Sequence, residues 1–391
     1  MDKKPEKLVP EVRFKGFTDD WEQRELGEVA KVTMGQSPSS KNYTDNPNDY
    51  VLVQGNADLK SNEISPRVWT KEVTKQVHKG EFIMTVRAPV GYLATANMDA
   101  VIGRGVAAID GNKYLYYLLQ TKLLDRTWEK LSSGSTFESI SSNDIKNLEI
   151  KVTETEEEKL IAKLMDTVTY FVTLQQRKLE QLKLLEKALQ QKLFPNSFQE
   201  KPLLRILHGD NSWWNSYIGE VFTERVDKGS SEKLLSVSIT DGVYPFDESK
   251  RKNNSSDDKH NYKKVFQNDI AYNSMRLWQG ALGVSKYEGI VSPAYTVLKP
   301  LPNQNSIFYE FMFKNIDMLH IFQRNSQGLT SDTWNLKFNQ LQHIKIKTTN
   351  LNSQNKIAKL LIKIEELKNN ESNYYHNLMT LKKYLLQKLF I

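Results

Sequence analysis

Apolar residues recur at seven-residue spacing over two stretches of the chain, residues 156–194 and 352–390, and in each they occupy two registers three residues apart. In the first stretch one register is Ile161, Val168, Leu182 and Leu189, and the other is Leu164, Phe171 and Leu185. In the second they are Ile357, Ile364, Leu378 and Leu385, then Leu360, Leu367, Tyr374 and Leu381. This spacing, with neither Gly nor Pro inside, predicts two long amphipathic helices, the first stopped by Pro195. At ~1.5 Å per residue each would be roughly 55 to 60 Å long, far beyond a common globular helix. The stripe lapses at Gln175 and Lys178, and in the second stretch at Glu371. Such a helix cannot bury its stripe alone, and because the two stripes match position by position they are expected to pack on each other through these residues.

The match extends beyond periodicity. Ile161-Ala162-Lys163-Leu164 recurs as Ile357-Ala358-Lys359-Leu360, and Gln191-Lys192-Leu193-Phe194 as Gln387-Lys388-Leu389-Phe390, both displaced by 196 positions. Upstream, Trp21, Gly27, Glu28 and Val29 recur as Trp213, Gly219, Glu220 and Val221, displaced by 192. The duplication therefore covers a whole unit. Between these markers both halves carry short β-rich runs (50–53 and 233–239) and a strand candidate ending in Arg with Gly four residues later (81–87 into Gly91, 269–276 into Gly280). A second strand candidate follows (101–109, 290–298), then an aromatic helical segment (114–131, 308–324), a polar loop (132–136, 325–330) and a last strand (148–152, 344–348). The fold expected is α+β: two pseudo-symmetric globular domains, residues 1–155 and 196–351, joined by two long antiparallel coiled-coil helices, residues 156–195 and 352–391.

Composition narrows the chemistry. The 391 residues include no cysteine, which excludes disulfides and thiolate metal sites, and the net charge of +7 favours a polyanionic partner. With no secretion-signal pattern and no membrane-spanning apolar run, a soluble cytoplasmic protein is expected. Walker A is absent, and histidines such as His78, His208 and His343 lack metal-ligand spacing. Gly103-Arg104-Gly105 loosely fits a dinucleotide glycine pattern but lies within a strand-like run. No Pro-Pro dipeptide exists, so the motif with which amino-methyltransferases grip a flipped base is missing, and Glu248-Ser249-Lys250 lacks the preceding acid of a nuclease centre. What remains suits nucleic acid: basic residues beside aromatics, Lys60 and Arg67 near Trp69, and the run from Lys250, Arg251 and Lys252 to Tyr262, Lys263 and Lys264. Arg87 and Arg276 stand out at equivalent strand ends. Base-edge readout and pairing with a local carboxylate are equally open for both.

Taken together, the two variable domains, the repeated helices with their Ile-Ala-Lys-Leu openings and Gln-Lys-Leu-Phe endings, and the Trp-x5-Gly-Glu-Val entries resemble the DNA-specificity subunits of type I restriction-modification enzymes. The resemblance covers nearly the whole chain. It implies that each globular domain is a target-recognition domain reading one half of a bipartite sequence in double-stranded DNA, with the helical pair setting the unread spacer. It further implies a non-catalytic chain that docks two methyltransferase subunits and joins restriction subunits. S-adenosylmethionine, ATP and Mg would then sit on those partners and no cofactor on this chain. Arg87 and Arg276 are the leading candidates for DNA contact. Gln36, Lys60 and Arg104 in the first domain and Lys228, Asn273 and Trp278 in the second follow on placement in loops or at strand ends. A standalone methyltransferase-nuclease and a scaffold joining two protein-binding domains are the competing readings.

Overall fold

The computed structural model describes residues 9–132, 139–196, 198–206, 212–248, 258–330 and 333–390. It divides into two compact units, Met1–Gln176 with Tyr374–Ile391, and Arg177–Asn373. The long helices span Thr155–Leu193 and Leu351–Lys388, and each contributes a segment to both units.

In the first unit one sheet runs in the order Lys31–Met34, Val106–Asp110, Phe82–Thr85, Leu93–Thr95, Glu63–Ile64, Leu59–Lys60. Its first four strands pair antiparallel. Against one face packs the helix Lys113–Leu124, its start fixed by Asn112, whose side chain accepts the Leu115 N–H. Tyr114, Tyr117, Leu118 and Trp128 are buried there with Phe82 and Met84. A second small sheet brings Tyr50–Val53 beside Ala100–Ile102 and covers the other face with Val53, Ile83, Ala94 and Ile102.

The second unit repeats the plan: Phe222–Glu224, Tyr295–Pro300, Ile270–Asn273 and Leu282–Val284 lie in that order, again antiparallel. Phe308, Tyr309 and Phe313 of the helix Ser306–Phe313 fill the corresponding core. In both units a two-stranded ribbon, Glu22–Glu25 with Glu149–Val152 or Trp213–Tyr217 with Lys345–Thr349, leads from the last strand into the long helix.

Two sequence expectations change. The strand expected over 101–109 is two strands, Ala100–Ile102 and Val106–Asp110, in different sheets, and 290–298 divides likewise into Gly289–Val291 and Tyr295–Pro300. The first break needs glycine: a Cβ on Gly105 would stand 2.0 Å from the Gln54 carbonyl oxygen. Hydropathy cannot show the crossing, because both strands are buried and apolar on either side of it.

The second change concerns the helix seam. On the first long helix the buried positions from Ile161 onward are Ile161, Ala162, Met165, Val168, Val172, Gln175, Leu179 and Leu193, so the second register lies four residues beyond the Ile161 series, not three. Phe171 and Leu185, expected in the seam, are 46% and 45% exposed. The second helix follows suit: Leu361 and Leu389 are buried, whereas Leu360, Leu367, Tyr374 and Leu381 are exposed. Ile161, Val168, Ile357 and Ile364 are buried as expected. Leu164, Leu189 and Leu385 are partly buried against the cores, and Leu182 and Leu378 are half-buried.

The reason is that each helix carries an apolar arc wider than one seam, so periodicity alone does not choose its flank. Ion pairs accompany the chosen register: within the second unit Glu186 accepts from Lys368 at 2.7 Å and Glu371 pairs with Lys178. As one helix advances the other recedes, so the segments there are antiparallel. In the first unit Ile161, Ala162 and Met165 meet Leu386, Leu389 and Phe390 in one cluster.

Candidate nucleic-acid interface

In the first unit four loops are laced together at the end of the main sheet beyond Thr85. The Gly35 N–H donates to the Val106 carbonyl and the Gln36 N–H to that of Ile102; the Gly103 N–H reaches Val53, and the Val86 N–H reaches Gly105. The Arg104 N–H donates to the Ser37 hydroxyl at 3.1 Å. These bonds hold the backbones of Gln36, Arg87 and Arg104 in one neighbourhood, and all three side chains are exposed. The turn after Arg87 is fixed by a cis Ala88–Pro89 bond and by Gly91 at φ 87°, and the Tyr92 N–H donates to the Thr85 hydroxyl at 3.0 Å. Gly91 cannot be replaced cheaply, since a Cβ there would meet the Trp128 ring at 2.3 Å.

A recess of about 440 Å³ adjoins these loops, lined by Gln54, Asn56, Asp58, Arg67 and Ala88 among others. Glu72 is engaged by the Asn42 side chain and the Ser39 amide, which hold its carboxyl below the usual range. Among the described residues Arg87 and Arg104 form no ion pair. Lys60 is not brought to this place. It lies on the outermost strand beside the turn Ser61-Asn62, opposite Glu63, on the side of the sheet away from Lys31–Met34.

In the second unit the corresponding strand ends at Asn273. Its side chain accepts the Met275 N–H at 3.0 Å, and Arg276 opens a single helical turn, Leu277–Gln279, closed by Gly280 at φ 89°. Trp278 donates from its indole nitrogen to the Met275 carbonyl and stands edge-on to Trp334, ring centroids 5.4 Å apart. Asn273, Arg276 and Trp278 therefore form one loop held from within. Beside it lies a cleft of about 410 Å³ lined by Ser274, Met275, Lys263, Asn335, Lys337 and Asn339.

Lys228 stands apart on an edge strand, its ammonium donating to Asn261 at 2.8 Å. Of the basic run from Lys250 to Lys264, residues 250–257 lie outside the described residues, as do residues 133–138 of the polar-loop region and His208. Two of the remaining lysines are paired, Lys263 with Glu224 at 3.1 Å and Lys264 with Glu232 at 2.8 Å. The Lys264 ammonium brings the Glu232 carboxyl down to about 2.

Several polar residues of these loops and recesses were not among the sequence candidates: Ser37, Gln54, Asn335, Lys337 and Asn339. Gln54 had a trace in the sequence, the glycines at 103 and 105 that make room for it. Asn335 and Asn339 had none, since only the tertiary fold carries them beside Met275.

Comparison with known proteins bears on the family and the fold. Residues 18–184 match the family described as type I restriction modification DNA specificity domain. A type I restriction enzyme MjaIX specificity subunit from Methanocaldococcus jannaschii is 31% identical over 193 residues, 46% of this chain and 44% of that protein. The chain thus spans less than half the length of the curated relatives it matches. Among solved structures, a type I restriction-modification S subunit from M. genitalium superposes with a TM-score of 0.65 at 15% identity, covering 98% of this chain and 99% of that one. A chain from a structure titled for complex assembly and conformational transition of the type I R-M system gives 0.53 at 17%, covering 95% and 97%. Residues 18–184 are accordingly similar to a type I restriction modification DNA specificity domain, and the whole chain shares its fold with the S subunit from M. genitalium.

Proposed function

We propose that this chain is the sequence-specific DNA-binding subunit of a type I restriction-modification complex, each globular domain reading one half of a bipartite target. The observation that carries the reading is internal to the chain. The main sheets of the two units share the order of four strands, and each unit carries an arginine just past the end of the equivalent strand, Arg87 or Arg276, yet the residues around it differ: Gln36 and Arg104 in one, Asn273 and Trp278 in the other. A common framework with differing loops suits two modules that read different sequences. Each half-site needs a base-reading side chain and cationic neighbours for phosphate, and exposed Arg and Lys beside Asn and Gln supply both.

The long helices are the spacer in this reading, and they dock two methyltransferase subunits. Support for docking comes from the seam: Tyr170, Phe171 and Leu174 on the first helix, and Tyr374, Leu381 and Tyr384 on the second, are exposed apolar positions left over from helix pairing. The chain supplies no chemistry and holds no cofactor of its own. S-adenosylmethionine belongs to the methyltransferase subunits, and ATP and Mg to the restriction subunits.

Co-expression with a methyltransferase subunit of such a system, followed by mapping of modified positions across a genome, tests the proposal. The expected result is one split motif with a constant unread interval. Methylation without such a motif, or binding to duplex DNA that does not weaken steeply with salt, would refute it.

A further inference from the structure

Resting on that reading, we propose that Arg67 reads a guanine in the half-site of the first domain, from the recess it shares with Gln54 and Asn56. Asp58 positions it. That carboxylate is buried and accepts the amides of Gln54 at 2.8 Å and Gly55 at 3.3 Å through Oδ2, which leaves Oδ1 facing Arg67 Nη1 at 3.9 Å. The same Nη1 donates to the Ala57 carbonyl at 3.3 Å. Both holds act on one nitrogen. Nε and Nη2 meet no acceptor among the described residues, and the side chain is 57% exposed.

An arginine tethered at one nitrogen and open along its remaining edge presents two parallel donors. Guanine offers two acceptors, N7 and O6, at matching separation in the major groove, whereas adenine places a donor where O6 would be. Ala88 closes the recess next to Arg87, so the cations suited to phosphate lie beside the proposed reader.

The second unit supplies the contrast. Arg225 places Nε and Nη2 on Asp269, at 2.6 and 3.0 Å, and Nη1 on Asp227 at 3.0 Å, with its guanidinium over the Phe266 ring at 4.5 Å. Every nitrogen of that arginine has an acceptor and its side chain is only 12% exposed, so its role is to hold the fold. Arg67 has the opposite allocation.

The test uses the complete complex with its methyltransferase subunits and begins from the motif mapped for the unaltered chain. Arg67→Ala should lower the preference for guanine at one position of one half-site by about 10- to 100-fold, leaving the other half-site and the interval unchanged. Arg67→Lys keeps the charge but offers a single compact donor group, so it should keep the overall affinity and salt dependence while losing the guanine preference. Thermal melting of both variants should match the unaltered chain, because the side chain is exposed. A split motif indifferent to both substitutions overturns the assignment. So does a uniform loss of affinity on every sequence with a salt slope reduced by about 1, which marks a phosphate contact. Absence of any split motif from the unaltered complex would overturn this inference and the function beneath it together.

Discussion

Removing the Glu157 carboxylate should loosen the first unit more than any surface change. Glu157 begins the first long helix with its side chain fully buried, and it takes Arg13 in a fork, Nε at 2.8 Å and Nη2 at 2.9 Å. The Trp21 indole nitrogen donates to it at 3.1 Å and the Thr153 hydroxyl at 2.6 Å. The N-terminal arm is thereby tied to the helix, and the Val12 N–H donates to the Lys388 carbonyl close by. Glu157→Ala leaves Arg13, which is only 14% exposed, without its partner and orphans two further donors. Loss of one member of a buried pair costs about 3 to 5 kcal/mol, or about 8 to 15 °C in Tm for a unit of this size. Burial disfavours the charged carboxyl, but the hydrogen bonds from Arg13, Thr153 and Trp21 outweigh it, and the folded group titrates below its ordinary 4.5. A depressed folded pKa means that the stabilisation is fully present above pH 4.5 and is lost as pH falls through the folded value. Denaturant unfolding of the first unit, followed at pH 7.5 and again below pH 4, measures both effects. A cost under about 1 kcal/mol for Glu157→Ala, or a gap between the unaltered chain and Glu157→Gln that stays constant into acid, would refute the reasoning.

The seam register gives a paired prediction: Leu179→Ala should cost about 2 to 4 kcal/mol in chemical unfolding, and Leu185→Ala, six positions on but exposed, under about 1. If Leu185 proves the costlier site, the seam lies on the other flank. Gly105→Ala should lower Tm and weaken DNA binding together, measured by melting and by fluorescence anisotropy, since its Cβ would drive the Gln54 carbonyl away from the loop cluster. Trp278→Ala should leave melting within a few degrees, because the ring is only half-buried, yet alter the preferred sequence in one half-site alone, as read from the mapped motif.

Much of this architecture was legible because duplication gives a sequence an internal control. Two tetrapeptides at one displacement located both long helices, and the last strands expected over 148–152 and 344–348 lead into them, although their ribbon partners Glu22–Glu25 and Trp213–Tyr217 were not foreseen. Seam choice was not legible, because Leu164, Phe171 and Leu185 flank the Ile161 series as plausibly as Met165, Val172 and Leu179 do. Only contact with the partner helix decides between them. The candidate loops were half legible. Arg87 and Arg276 share a strand end that periodicity could find, and Gln36 and Arg104 sit by glycines that mark crossings between sheets. Lys60 and Lys228 had the right composition but fall on outer strands, and strand order is a long-range property that local pattern does not contain.

Comparing the two helix starts shows what duplication held and what it released. Val12 N–H to the Lys388 carbonyl in the first unit corresponds to Leu204 N–H to the Lys192 carbonyl in the second, so the backbone plan is the same. The side chains differ. At the displacement of 196 positions Ser353 replaces Glu157 and Gln354 replaces Glu158. Gln354 accepts the Asn305 amide at 2.8 Å and donates to the Thr349 carbonyl at 2.8 Å, with the Gln304 side chain and the Tyr309 hydroxyl also within reach. The place of Glu158 is thus held by a neutral network and that of Glu157 by a serine, and neither has a proton to gain. Acid therefore acts on the two ends unequally: as pH falls through the depressed folded value of Glu157 the arm that Arg13 anchors loses its hold, while the junction around Gln354 keeps every hydrogen bond it has at neutral pH.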